Sequence, residues 1–193
     1  MPPITLGIAG AAGRMGKRLV ALASEQPQEF ALVAALDAPD SPFQGTDAGT
    51  LAAGKPLGLA IAAKWSTAPA VVIDFSVAAA TRALISQCVA QKIALVIGTT
   101  GLTSADQRLI DEAAASIPIL QATNTGLGIN VLLGLVAQAA RQLGEDCDVE
   151  IVEAHHNQKK DAPSGTALSL AQSVCQATGR DVSTALVSGR KGA

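Results

Sequence analysis

One short segment, Glu153–Ala167, holds both histidines of the chain, two adjacent lysines and two hydroxyl side chains. Imidazole side chains readily give or take a proton near neutral pH, so His155 is a candidate acid or base. An ammonium group that is partly desolvated beside a second cation, as at Lys159, can hold a carboxylate or donate a proton. The segment therefore predicts a site that binds a carboxylate and protonates the molecule carrying it.

The end of this segment has the composition of a helix start. Pro163 suits the first turn of a helix, and the three residues after it would present hydroxyl and N–H groups around that start. Asp161 is placed to cap or orient Lys159. Taken alone, paired lysines favour a solvated surface, and a Ser-Gly-Thr run favours a simple helix cap. Adjacent histidines project to opposite sides of an extended chain and no cysteine lies near them, so we expect no metal site.

The composition is that of a globular protein. The chain has 193 residues, of which 49% are apolar, 16% charged and 2% aromatic, with a formal net charge of −2. This charge argues against a general nucleic-acid surface. Three widely spaced cysteines predict free thiols in a reducing compartment. No signal peptide precedes Ile4, and no apolar run reaches the roughly 18 residues of a membrane helix, so we expect a soluble cytoplasmic protein.

Strands and helices alternate along the first two thirds of the chain. The pattern predicts strands at 4–9, 30–36, 57–61, 71–76, 93–97 and 117–121, and helices at 14–24, 78–91 and 104–115. A loop with one short helical turn is expected at 39–54. This order is typical of an α/β fold with a parallel sheet and helices on both faces, whose ligands bind beyond the carboxyl ends of the strands. A smaller second domain follows, with helices at 129–143 and 164–178 and a strand at 148–154.

A glycine-rich turn joins the first strand to the first helix. Gly10, Gly13 and Gly16 would let a pyrophosphate approach the N–H groups of a helix start, although the same spacing also occurs in purely structural turns. Asp37 ends the second strand, where a carboxylate can accept both ribose hydroxyls of an adenosine. Ala38 follows it and offers no cation for a 2′-phosphate, which favours NAD over NADP. Arg14 is equally compatible with a phosphate contact and with a solvated helix position.

Five motifs resemble those of the dihydrodipicolinate reductase family, also called the 4-hydroxy-tetrahydrodipicolinate reductases. They are EAHHNQKKDAPSGTA at 153–167, GAAGRMG at 10–16, IDFS at 73–76, IGTTG at 97–101 and GINVLL at 128–133. The resemblance spans nearly the whole chain, and the first motif is specific. It implies a Rossmann-like dinucleotide-binding domain, 1–126, and a second α+β domain, 127–193, that binds substrate and forms a homotetramer.

The resemblance also implies an activity and a set of site residues. NADH or NADPH would reduce a small cyclic unsaturated dicarboxylate to tetrahydrodipicolinate, on the route to diaminopimelate and lysine. His155 matches the proton donor and Lys159 the catalytic lysine. The substrate contacts implied are His156, Ser164, Gly165, Thr166 and Thr100. The cofactor contacts implied are Gly10, Ala11, Ala12, Gly13, Arg14, Met15, Asp37, Gly98, Thr99, Thr100, Ala122, Thr123, Asn124 and Thr125.

The chain departs from the family pattern at two places. Thr125 follows Asn124 where the family has an aromatic residue or Met, which would loosen the wall beside the nicotinamide. The last residues, Ser188–Ala193, resemble the opening of a longer stretch, so we expect the second domain to be truncated. Two alternatives follow: a catalytically weak or inactive nucleotide-binding module of the same family, or a different dehydrogenase on the same fold.

Overall fold

The structure is a computed structural model that describes residues 1–155, 157 and 162–189. The strands are β1 Ile4–Ala9, β2 Phe30–Leu36, β3 Ile61–Ala62, β4 Val71–Asp74, β5 Ala94–Ile97 and β6 Ile119–Gln121. The helices are α1 Arg14–Glu25, α2 Ala48–Ala53, α3 Ala78–Gln91, α4 Ser104–Ala114, α5 Leu127–Leu143, α6 Gly165–Thr178 and α7 Val182–Ala185, with a 3-10 helix at Gly144–Asp146.

All six strands form one parallel sheet. Its strand order is β3-β2-β1-β4-β5-β6, so the chain starts in the middle, winds to one edge, and returns to wind to the other. This is the order of a Rossmann-type sheet, in which ligands bind where the winding direction reverses. The expected α/β class is confirmed, and the reversal lies between β1 and β4.

The sheet buries an aliphatic core on each face. On one face, Val72, Leu95 and Ile97 pack with residues of α3 and α4. On the other face, Ile8 and Ile61 pack with Val20 of α1 and with residues of α2. Both faces of a parallel sheet must be covered by helices, which explains why these strands are almost continuously apolar.

The strand predicted at 57–61 is much shorter in the structure, where β3 is Ile61–Ala62. The N–H groups of Leu57 and Leu59 each donate to the Asp47 carboxylate at 3.1 Å instead of to a neighbouring strand. Gly58 between them has a φ of +72°. A side chain acceptor and a left-handed glycine therefore replace sheet pairing before Ile61.

The chain divides into two compact units, Met1–Ala122 and Thr123–Ala193. In the second unit, α5 packs against α6, and α7 packs against α6. The prediction of a strand at 148–154 is wrong. The described residues of this unit form no strand, so this segment has no neighbouring strand to pair with. The expected β part of the second domain is therefore not present in the described residues. The division predicted after residue 126 stays a prediction.

Two further features bear on the predictions. Cys88, Cys147 and Cys175 are all free, as the spacing indicated, and Cys88 and Cys175 are buried. Among the helices of the described residues, none is both long and apolar enough to cross a membrane.

Candidate functional site: a nucleotide cavity and an acid–base loop

A cavity of about 550 Å³ lies in the first unit at the carboxyl ends of the strands. Its lining includes the last residues of β1 and β2 and the residues directly after β4, and the winding of the sheet reverses between β1 and β4. The lining residues include Gly10 and Gly13 of the glycine turn, and Asp37. A ligand in this cavity would contact the turn and the acidic strand end together.

The glycine turn is tight enough to require glycine at two positions. Gly10 has a φ of +75°, and a Cβ there would lie 2.4 Å from the carbonyl oxygen of Phe75. A Cβ on Gly16 would lie 2.0 Å from the carbonyl oxygen of Gly10. The backbone of the turn can therefore pack directly against the start of α1 and against the segment after β4.

The start of α1 suits an anion. Gly13 is its N-cap residue and makes no side-chain capping bond, and the first turn carries no acidic residue. The N–H groups of a first helical turn have no partner within the helix and attract negative charge. Arg14 and Met15 are exposed there, whereas Ala11 is buried. The turn thus fits the pyrophosphate of a dinucleotide.

Asp37 is joined to this turn by a hydrogen bond. The N–H of Ala12 donates to Asp37 Oδ2 at 2.9 Å, and the N–H of Ala38 donates to Oδ1 at 2.8 Å. Each carboxylate oxygen can accept more than one hydrogen bond, so both oxygens keep capacity for ribose hydroxyls. The half-buried Asp37 is in the position expected from the sequence, at the end of β2 and facing the cavity.

A buried carboxylate beneath the cavity was not predicted as part of the site. Asp74 ends β4 and is fully buried. It accepts hydrogen bonds from the hydroxyls of Ser76 and Thr81, each at 2.5 Å. Burying a charge without such partners is very costly, so these hydroxyls fix the segment after β4. An aspartate directly after an apolar run was the available signal.

The turn after β5 is tied to the same segment. Thr99 Oγ1 accepts from the N–H of Ser76 at 3.0 Å, and the N–H of Gly98 donates to the carbonyl of Asp74 at 2.9 Å. A Cβ on Gly98 would lie 2.2 Å from the Phe75 ring. The expected cofactor residues Gly98 and Thr99 are therefore packed beside β4, whereas Thr100 is exposed.

The expected strip 122–125 is shared between the two units. The N–H of Ala122 donates to the carbonyl of Ile97 at 3.0 Å, so Ala122 continues the edge of the sheet. In the second unit, Asn124 Nδ2 donates to Thr166 Oγ1 at 3.2 Å. Asn130, which belongs to the GINVLL motif but was given no role from the sequence, donates to the carbonyl of Asn124 at 3.1 Å. Thr123 and Thr125 are exposed.

The segment Glu153–Ala167, with its candidate acid and base groups, places His155 beside a carboxylate. His155 Nε2 lies 2.9 Å from Glu153 Oε2, and the N–H of Ser164 donates to Glu153 Oε1 at 2.9 Å. The hydroxyl and N–H of Ser164, together with His155, lower the pKa of Glu153 to about 2. Glu153 therefore stays ionised at neutral pH, orients the imidazole and holds it near the start of α6. Sequence reasoning included Glu153 in the motif but gave it no role.

The start of α6 differs in detail from the prediction. Ser164 is the N-cap, with its hydroxyl accepting from the N–H of Ala167 at 3.1 Å, and the helix begins at Gly165. Pro163 therefore precedes the cap and is not in the first turn, because the Ser164 hydroxyl is the group that caps the helix. His156, Lys159 and Asp161 lie outside the described residues. Their roles stay predictions.

Among the described residues, no group of three or more histidine, cysteine or acidic side chains is arranged to hold a metal ion. The nearest acidic and imidazole groups, Glu153 and His155, make a pair rather than a ligand set.

Two family models match the chain, and they meet a few residues after the division into units. Residues 4–125 match the N-terminal part of dihydrodipicolinate reductase, and residues 128–192 match its C-terminal part. The chain belongs to the dihydrodipicolinate reductase family. The resemblance that the motifs carried is thereby confirmed, and the glycine turn and the His155 segment lie in the two parts that this family joins.

Members of the family resemble the chain along most of its length. A 4-hydroxy-tetrahydrodipicolinate reductase of Alkalilimnicola ehrlichii is 47% identical over 190 residues, which are 97% of this chain and 71% of the relative. One of Anaeromyxobacter dehalogenans is 45% identical over 188 residues, 96% of this chain and 69% of the relative.

A solved structure has the same fold. It is a dihydrodipicolinate reductase from Paenisporosarcina with dipicolinate bound. The two chains superpose with a TM-score of 0.69 at 25% sequence identity, over 91% of this chain and 67% of that one. The Rossmann-like arrangement is therefore shared with a reductase that binds an aromatic dicarboxylate.

Proposed function

We propose that this protein reduces 4-hydroxy-tetrahydrodipicolinate to tetrahydrodipicolinate with NADH or NADPH, in the biosynthesis of diaminopimelate and lysine. The observation that carries the proposal is the match to both parts of one reductase family over residues 4–125 and 128–192. The curated relatives bear the name of this activity, and a structural neighbour binds the related dicarboxylate dipicolinate.

The first unit supplies groups that fit the cofactor. When bound, a reduced nicotinamide supplies a hydride, and the protein supplies its position. The start of α1 receives the pyrophosphate, and Asp37 accepts hydrogen bonds from the adenosine ribose. Gly98 and Thr99 lie on the strip where the nicotinamide is expected. Gly10 and Gly98 both lie against Phe75 with no room for a side chain, which fixes the two turns relative to each other.

The second unit supplies groups that fit a dianionic substrate. Ser164 caps α6, and Gly165 and Thr166 are its first two residues, where N–H groups and the helix dipole favour a carboxylate. His155 donates the proton that reduction of a conjugated ring requires, Lys159 is the catalytic lysine, and His156 contacts a substrate carboxylate. Glu153 acts as a positioning residue, because it contacts the imidazole and the Ser164 N–H together.

The test is turnover of the His155→Ala variant. We expect its kcat to fall by about a hundredfold or more, which is the size of a general-acid contribution, while its affinity for NADH stays unchanged. Substrate-dependent loss of NADH absorbance measures the first quantity, and calorimetric titration of NADH measures the second. Unchanged turnover would remove the role of His155. NADH binding by the wild type without any substrate-dependent oxidation would instead support a nucleotide-binding module.

The homotetramer implied by the family is also part of this proposal. Helix α5 exposes apolar side chains at Leu127, Val131 and Leu135, which are 81%, 53% and 58% exposed. Apolar surface of this kind on one helix favours contact with another subunit. Sedimentation of the chain at several concentrations measures the assembly.

A further inference from the structure

We propose that Lys64 binds the 2′-phosphate of NADPH, so that the cavity accepts NADPH as well as NADH. This inference rests on the proposed function, since it concerns the cofactor of the same reaction. The residue after Asp37 is Ala38, and from sequence alone its lack of charge favoured NAD. The structure brings a cation to the same place from a different strand.

The pairing of β2 with β3 places Lys64 beside Asp37. The two strands are parallel, with Leu36 paired to Ala62. The N–H of Asp37 continues this pairing by donating to the carbonyl of Ala62 at 3.1 Å. Both strands therefore end at the same level of the sheet, and Lys64 follows the end of β3 closely. Asp37 and Lys64 both line the cavity.

Lys64 has the positive charge that a phosphate site requires, and it lines the same cavity as Asp37. Among the described residues that line this cavity, it is the one cation and Asp37 is the one anion. It is exposed, and within the described part of the chain its ammonium makes no ion pair or hydrogen bond. An ammonium without a protein partner can move toward a ligand at little cost, since its four-carbon stem is flexible.

The charges of the two cofactors differ at this position. NADH presents two ribose hydroxyls, which a carboxylate accepts. NADPH presents a phosphate monoester there, which carries about −1.5 to −2 charges near neutral pH and is repelled by a carboxylate. Lysine binds phosphate as a compact point charge. With Asp37 alone the cavity would select NADH, and Lys64 offsets the repulsion that Asp37 exerts on the phosphate.

The experiment compares two small ligands that differ only in this phosphate. Adenosine 5′-monophosphate and adenosine 2′,5′-bisphosphate are titrated calorimetrically into the wild type, Lys64→Gln and Lys64→Arg. Lys55→Gln is the matched control, because Lys55 is likewise an exposed lysine but lies before β3 and does not line the cavity. Urea unfolding followed by the fluorescence of Trp65 verifies that each variant folds.

We expect Lys64→Gln to lower the affinity for the bisphosphate about tenfold, as is typical for loss of one charged hydrogen bond. Its affinity for the monophosphate should stay within about twofold of the wild type. Lys64→Arg should retain the binding of the bisphosphate, and Lys55→Gln should change neither ligand. The difference between wild type and Lys64→Gln should shrink as salt is raised, because exposed charges are screened.

The outcomes separate this inference from the proposed function. If Lys64→Gln lowers the affinity for both ligands equally, the role of Lys64 is overturned. It is also overturned if Lys55→Gln lowers the affinity for the bisphosphate as much as Lys64→Gln does. Binding of the monophosphate without the bisphosphate by the wild type would also overturn it, while leaving an NADH-dependent reductase intact. If the wild type binds neither ligand nor NADH, the nucleotide site and the proposed function fail together.

Discussion

The Asp37 carboxylate accepts a hydrogen bond from the backbone N–H of Ala12 at 2.9 Å. This bond joins the end of β2 to the glycine turn after β1. The residue that would hold the ribose and the turn that would hold the pyrophosphate are therefore fixed relative to each other before any ligand binds. Such preorganisation lowers the entropy lost on binding.

Removal of the Asp37 carboxylate should weaken the binding of NADH. We expect Asp37→Ala to lose about tenfold or more in affinity, because the ribose hydroxyls and the Ala12 N–H lose a charged acceptor. Asp37→Asn should lose less, since its amide oxygen still accepts one bond. Calorimetric titration of NADH measures the change. Asp40→Asn, at an exposed aspartate of the following loop, is the control and should bind NADH normally.

Substitution of Gly16 should destabilise the first unit. A Cβ on Gly16 meets the Gly10 carbonyl at 2.0 Å, so Gly16→Ala forces backbone movement that should cost about 1–3 kcal/mol in the free energy of unfolding. Gly128→Ala in α5 is the control, since nothing lies within 4 Å of its Cβ. Alanine favours a helix over glycine by about 1 kcal/mol, so this control should be neutral or stabilising. Urea unfolding that ranks the two variants equally would contradict the steric argument.

The Thr81 hydroxyl should stabilise the folded protein because it donates a hydrogen bond to the buried carboxylate of Asp74. Thr81→Val keeps the shape of the side chain but leaves Asp74 Oδ2 without this donor, which should lower the free energy of unfolding by about 1–3 kcal/mol. Thr81→Ser keeps the hydroxyl and loses only a methyl group. Urea unfolding compares the two. A serine variant less stable than the valine variant would show that packing matters more than the hydrogen bond.

The ion pair between α3 and α4 should make stability fall in acid. The Arg82 side chain, with the N–H and hydroxyl of Thr103, holds the pKa of Asp106 well below its usual range. A carboxylate whose pKa is lowered by folding stabilises the folded state above its unfolded pKa of about 4, and this contribution disappears as the pH falls toward the folded value.

The corresponding measurement is the stability difference between wild type and Asp106→Asn at several pH values. We expect the difference to be largest near neutral pH and to shrink steadily below about pH 4. Trp65 lies in the same unit and reports its unfolding by fluorescence. Glu112→Gln, at an exposed position of α4, is the control. A difference that grows in acid would reverse the sign and contradict the assignment.

The central sheet and the cofactor turn could be predicted from sequence because their signals are local. Apolar runs such as Ile4–Ala9 and Phe30–Leu36 coincide with strands, and the glycines and Asp37 follow those runs directly. The signal for the start of α4 is local as well, because Thr103 and Asp106 form a capping box there. Local patterns thus located one wall of the cavity.

The remaining parts depend on partners that are distant in the chain. Residues 148–154 have strand-like composition, yet the segment pairs with no neighbouring strand in the described residues. Lys64 reaches the cavity only through the register of β2 and β3, and register is invisible in a single segment. Asp74 was recognised as part of a motif, but its burial and its hydroxyl donors required the packed structure.

Cys88 illustrates a practical consequence of the packing around Asp74. Burial, together with the negative charge of Asp74, raises the pKa of this thiol to about 11, so it stays neutral and inaccessible. Cys175 is buried as well, whereas Cys147 is partly exposed. A maleimide dye should thus react selectively with Cys147, giving the native chain a single attachment point for a spectroscopic reporter in its second unit.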